Sequence, residues 1–283
     1  MKYSILLITF LICFKISAQK NDSEAIAYNV GLGSFFGGVG AIINKDKNQK
    51  WHKAFLKGLW QGALGGYVVY ESKKRVYDFS RTKDYKYAWA SKILYSAGNS
   101  IIENAASNKN FWAKWHITIG FNRIEFNTQK KFKIKYQLLP FSLFSAIQTS
   151  TKGKFDFKTS IKTGFLIFKT TNTNIFPEGF DGFTFRNSIL LLDSGEKFFV
   201  VLPHEMIHTY QEEDFQFINT FFIKTKEKFL KNTFLKKIDK YIYFDGNTFL
   251  NGWLYNIERS GKCYYNNFFE QEANFYSLRL NCN

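Results

Sequence analysis

Two runs of small residues spaced by four place the strongest constraint on how this chain can fold. Gly33, Gly37 and Ala41 form the first, and Gly58, Gly62 and Gly66 the second. Residues four apart share one face of an α-helix, so each run is a strip along which another backbone can approach closely. The polar stretch from Asn44 to Lys53 separates the two strips, and the pattern predicts a helical hairpin. Residues 25–43 carry no charge and could nearly cross a bilayer. The second segment, Gly58 to Tyr70, is too short to cross straight, since a span needs ~20 apolar residues. A tightly packed soluble hairpin and a membrane-associated one both satisfy the pattern.

The hairpin is preceded by Lys2, an apolar run from Ile5 to Phe14 and Ile16-Ser17-Ala18 before Gln19. This order matches a secretory signal peptide, cleaved after Ala18. The expected location is therefore exported: periplasm, cell envelope or outside the cell, with membrane association open. Export would leave Cys263 and Cys282 in an oxidising compartment. If residues 266–280 form a helix, however, its ends lie ~20 Å apart, too far for an easy bridge between these flanking cysteines. Two unbridged thiols are expected.

The chain of 283 residues is 45% hydrophobic and 22% charged, which excludes disorder over most of its length. Its formal charge is +16, but only six of 39 basic residues are Arg. Readers of nucleic acid use Arg in quantity for its planar fork, so no nucleic-acid partner is expected. The lysine-rich, Phe-rich vocabulary fits an AT-rich coding sequence, and an anionic surface is the sharper alternative.

Beyond the hairpin, Ala90, Ile93, Leu94, Ala97, Ile101 and Ala105 keep a helical period and predict a helix over 85–106. From Trp115 the period changes to two. Ile117, Ile119, Phe121, Ile124 and Phe126 alternate, as do Phe132, Ile134 and Tyr136; β-type runs at 140–149, 154–159 and 161–169 extend the predicted antiparallel meander. Asn187 to Leu192 reads as a further strand, 217–241 as a basic helix with Phe221, Phe222, Phe229, Leu230, Phe234 and Leu235 offering apolar contacts, Asp245-Gly246 as a turn, and 266–280 as a last helix.

The chemistry is concentrated in Pro203-His204-Glu205-Met206-Ile207-His208. Proline suits the first turn of a helix. On that helix His204 and His208 sit one turn apart on one face, able to reach one cation, and Glu205 lies beside them to take a proton from a metal-bound water. His52 and His116 stand alone and read as surface or structural residues. A catalytic zinc needs a third protein ligand, and the downstream acids Glu270 and Glu272 occur in a segment of helical spacing.

HEMIH followed by Glu270-Gln271-Glu272-Ala273-Asn274 resembles the zinc metallopeptidases of the gluzincin type, whose third ligand is a glutamate. The resemblance covers about residues 185–280. It implies Glu270 as the ligand, Asn274 one turn later orienting a zinc histidine in place of the commoner Asp, and Asn187, Ser188, Ile189 and Leu190 as an edge strand that pairs with extended substrate. Glu270 and Glu272 point ~200° apart around a helix, so only one can face the metal.

The expected protein is therefore α+β, with a small-residue helical N-terminal region, an antiparallel β-meander and a C-terminal zincin-like catalytic unit. Its units would be a signal peptide (1–18), a Gly-rich helical region (19–110) and a peptidase region (111–283). The implied activity is peptide-bond hydrolysis by zinc-activated water on a peptide or protein substrate. Glu205 would be the base, and Tyr255, Tyr264, Tyr265 or Tyr276 the oxyanion donor. A membrane-associated scaffold with an inactive zincin unit, and a zinc amidase acting on a non-peptide amide, are the alternatives. Cleavage preference and oligomeric state leave no signature.

Overall fold

The computed structural model describes residues 19, 21–129, 131–176, 180–193, 197–259 and 267–277. The expected signal peptide, Cys263, Cys282, Tyr264 and Tyr265 lie outside them. Three long helices come first: α1 (Asp22–Ile43), α2 (Trp51–Thr82) and α3 (Lys86–Ala106). The Asn21 side chain starts α1 by accepting a hydrogen bond from the Glu24 backbone N–H at 2.9 Å. The two small-residue strips face each other in antiparallel register, Gly33 against Gly62 and Gly37 against Gly58. A Cβ on Gly62 would lie only 2.7 Å from the Gly33 carbonyl carbon. Further along, Gly65 abuts Gly98 of α3, so the third helix closes on the hairpin by the same device.

Helix α1 alone among the described residues has the length and apolar composition to cross a membrane, a test that a signal sequence or the core helix of a soluble protein also passes. In the fold it packs along α2, and Ala25 and Phe36 enter the main core. That core is continuous from the helical region into the HEMIH helix, joining Val69, Val76, Phe79 and Tyr95 to Met206, Ile207, Tyr210 and Tyr276.

Helix α3 departs from the expected burial. Ile93 is 56% exposed, whereas Ser91, Lys92, Tyr95, Ser96 and Asn99 are buried. Its polar side faces inward because partners wait there. Lys92 lies 3.6 Å from Glu213, Tyr95 donates to the Tyr210 carbonyl and to Asp214, and Ser91 bonds the Tyr210 hydroxyl.

The meander consists of β1 (Lys114–Ile119), β2 (Asn122–Asn127) and β3 (Lys133–Leu138), all antiparallel. Its buried face is polar: Arg123 is fully buried, forks onto Glu103 at 2.8 and 3.1 Å and bonds Glu125 at 2.9 Å. His116 is also buried there and bonded to Ser100, the structural role expected of it, while His52 is exposed.

The meander ends at β3, where the expected strand over 140–149 is instead helix α4 (Pro140–Ser150). Pro140 occupies its first turn, and the carboxylate of Asp245, a hundred residues away, accepts from the backbone N–H groups of Phe141 and Ser142. The run 154–159 is likewise mostly helical: β4 holds only Lys154–Phe155, and Asp156 then caps α5 (Phe157–Thr163) through the Thr159 N–H. Gly164 ends α5 at φ +77°, so the strand expected from 161 begins only at β5 (Leu166–Thr170).

A mixed sheet follows in the order β4-β5-β7-β6, with β6 (Gly182–Phe185) and β7 (Ser188–Leu192) forming a hairpin and β7 running parallel to β5. The expected edge strand at 187–192 is therefore interior. The edge is β6. Interior placement explains the run Ser188 to Leu191, buried without alternation.

After α6 (Phe198–Glu213), the expected helix 217–241 breaks into a 3₁₀ segment (Gln216–Phe222), α7 (Ile223–Phe229) and α8 (Thr233–Tyr241), the last capped by Asn232. Phe222, Phe229, Phe234 and Leu235 are exposed rather than packed. Helices α9 (Asn247–Arg259) and α10 (Phe268–Ser277) complete the described fold.

Candidate metal centre

Helix α6 carries His204, Glu205 and His208. It begins five residues before Pro203 rather than at it, so the proline lies inside the helix. An interior proline leaves the carbonyl four residues earlier without its helical donor. That carbonyl belongs to Phe199, and the Ser80 hydroxyl of α2 lies 2.9 Å from it and from the Ser277 carbonyl, its one proton shared between them. The helix runs on without a break through the two histidines.

His204 and His208 turn their Nε2 atoms toward one point, 3.0 Å apart. Glu270 of α10 closes the group: its Oε2 lies 3.2 Å from His204 Nε2 and its Oε1 3.4 Å from His208 Nε2. One ligand atom from each of the three falls within 4.8 Å of the others, a group that could hold a metal ion. Two imidazoles and one carboxylate, His204 and Glu270 buried and His208 partly so, are a fitting donor set for a divalent transition metal. Burial opposes charge on His208, yet the adjacent Glu270 carboxylate outweighs it and lifts the pKa to about 9; a bound cation would compete with that proton. Burial lowers the pKa of His204. Glu270 is itself held well below the usual carboxylate range: burial works against its charge, and the two histidines more than compensate.

Glu205 points toward β6. Its Oε2 and its backbone oxygen each lie 2.9 Å from the Thr184 hydroxyl, so the edge strand and the expected base are tied together. Tyr255 of α9 donates its hydroxyl to Glu270 Oε1 at 3.0 Å, which brings one of the expected oxyanion candidates to the site. Tyr276 is buried in the core, and its hydroxyl has no hydrogen-bond partner among the described residues.

Glu272 faces away from the group of His204, His208 and Glu270, as its position two residues on requires. It is fully buried and accepts from Lys73 Nζ at 2.9 Å, from Gln211 at 2.9 Å and from Gln19 at 2.8 Å. Asn274, expected to orient a histidine, is buried but makes no side-chain hydrogen bond among the described residues, and among them His204 Nδ1 has no partner either. The orienting contact is made instead by Gln211, whose Oε1 lies 2.8 Å from His208 Nδ1. The amide nitrogen of Gln211 donates to the Phe269 carbonyl and to Glu272, so its oxygen faces the imidazole and the proton of neutral His208 resides on Nδ1. The Nε2 lone pair is then left for a metal.

Gln211 and the ion pairs behind it were not expected from sequence. Gln211 has a local signal, since three residues after His208 is the same helical face. Lys73 has none: it joins α2 to Asp214 and Glu272, both at 2.9 Å, through tertiary packing alone. Its ammonium is kept charged because those two carboxylates outweigh the penalty of burial.

Comparison of the chain with known protein families, with curated proteins and with solved structures returns no match.

Proposed function

We propose that the protein is a zinc-dependent peptidase that hydrolyses peptide bonds with a metal-activated water. The observation that carries this reading is the convergence of His204, His208 and Glu270 on one point, with Glu205 on the adjoining turn of the same helix. His204, His208 and Glu270 would hold the ion, and Gln211 keeps His208 in the tautomer that offers Nε2. A bound zinc ion supplies Lewis acidity, polarising a carbonyl and making water easier to deprotonate. Glu205 would take the proton from the attacking water and pass it to the leaving amine. Thr184 holds the carboxylate in place meanwhile. An extended substrate would lie antiparallel along β6, the edge of the mixed sheet beside α6, rather than along β7. Among the described residues, Tyr255 is the tyrosine that reaches the site, and its hydroxyl would turn from Glu270 toward a developing oxyanion.

The test is zinc content together with digestion of a mixed peptide library by the purified chain and by Glu205→Gln. Zinc retained by both and cleavage confined to the unaltered chain is the expected outcome, because a general base is not a ligand. Equal cleavage by Glu205→Gln would refute the mechanism. Zinc-dependent hydrolysis of cell-wall amides without peptide cleavage would favour the amidase reading, and neither activity would favour a scaffold.

A further inference from the structure

The three-stranded meander is built inside out. Its rows Trp115–Phe126–Ile134 and Ile117–Ile124–Tyr136 lie across the outward face, while His116, Thr118, Arg123, Glu125 and Gln137 are buried beneath. Phe132 and Ile134 are 63% and 62% exposed. The side-chain bonds that tie the sheet to the rest run from the buried face, to Ser100, Glu103, Gln216 and the carbonyls of Asp239 and Ile242. The apolar surface continues through Trp112 and Phe111, whose rings are 4.7 Å apart, to Trp60 at 6.4 Å. There it meets an exposed stripe along α2, Leu56, Trp60, Leu64 and Tyr67.

We propose that this face is a membrane-interfacial surface that seats the protein on an anionic lipid bilayer. Charge argues for that occupant. Glu125 is the only acid between residues 111 and 139, and it is buried on the opposite side. Lys131 and Lys133 stand exposed beside Phe132 at the β2–β3 hairpin, and Lys57 reaches the Asn108 carbonyl next to Phe111. Aromatic rings fringed by lysines suit the boundary between acyl chains and negative headgroups. A second copy of the chain fits less well. Self-pairing would bring the two lysine fringes against each other. The proposal does not depend on peptidase activity.

Flotation of the full chain with phosphatidylglycerol-containing vesicles, compared with pure phosphatidylcholine, tests it. Partition into the anionic vesicles, a blue shift of tryptophan emission on binding and weakening by salt are expected. Phe132→Thr with Ile134→Thr keeps strand propensity at two exposed positions. Each replacement should lower the partition coefficient about tenfold, with an unchanged far-UV spectrum and melting temperature. If that variant unfolds, Trp60→Gln on α2 provides a second, independent loss of partition. Failure of the unaltered chain to bind either vesicle would overturn the proposal. So would unchanged partition by folded variants, or a dimer in buffer that the double variant dissociates.

Discussion

Replacing Gly62 by alanine adds one methyl group at the closest approach of α1 and α2. The new Cβ would lie 2.7 Å from the Gly33 carbonyl carbon and 3.2 Å from Gly37 Cα, and it would press on the Gly33 carbonyl oxygen, all backbone atoms that no rotamer can move. Ordinary contact begins near 3.4 Å, so the carbonyl carbon alone requires a separation of about 0.7 Å, and the nearer carbonyl oxygen requires more. A gap of ~0.5–1 Å forfeits a quarter to a half of the dispersion well of each affected contact. Overpacking of this kind costs ~1–3 kcal/mol, against which alanine regains ~0.5–1 kcal/mol of helix propensity. The internal control is Gly31→Ala in α1, where a Cβ would meet nothing within 4 Å. That variant should gain ~0.5–1 kcal/mol, because only the propensity effect remains. Urea unfolding should place the two variants on opposite sides of the parent. At ~2–4 °C per kcal/mol for a chain of this size, the separation is also visible in thermal melts. If Gly62→Ala is as stable as Gly31→Ala, the account of a backbone-to-backbone contact is wrong.

Gln211→Ala should weaken zinc binding ~10–100-fold in a chelator competition, the usual effect of losing a ligand's outer hydrogen bond. Asn274→Ala, whose amide bonds nothing among the described residues, should weaken it less; the reverse order would refute the assignment of Gln211. Lys73→Met leaves Asp214 and Glu272 buried without their cation and should cost ~3–5 kcal/mol in denaturant unfolding, whereas a loss under 1 kcal/mol would show the pair to be dispensable. His116 should make stability acid-sensitive. Burial, with Arg123 beside it, lowers its pKa to about 3. The unfolded chain therefore takes up a proton near pH 6.5 that the folded one refuses, and stability present above pH 6.5 is lost as pH falls toward 3, at up to ~1.4 kcal/mol per unit. Glu103, held near 2 because Arg123, His116 and Lys114 outweigh its burial, adds a loss of the same sign only below about pH 4.5. His116→Asn, which can still reach Ser100, should flatten the slope between pH 5 and 6.5. An unaltered slope would place the acid sensitivity elsewhere.

Helix strips and side-chain periods report on the local backbone, and this is why the glycine hairpin, the meander over β1–β3 and the placement of His204, Glu205 and His208 on one helix can be read from residue order. Burial and pairing depend on what the rest of the chain supplies. Residues 140–150 look β-like in composition, but Asp245 satisfies the first N–H groups of a helix there. Pro203 looks like a helix start, but Ser80 takes up the carbonyl it orphans and the helix extends behind it. The family resemblance makes Asn187 to Leu192 an edge strand. Its parallel pairing with β5 and hairpin pairing with β6 make it interior. Even the apolar alternation of the meander says only that two faces differ. Which face turns inward was settled by Glu103, Gln216 and Ser100, which offer polar partners on one side of the sheet and so leave Ile134 and Phe132 facing out.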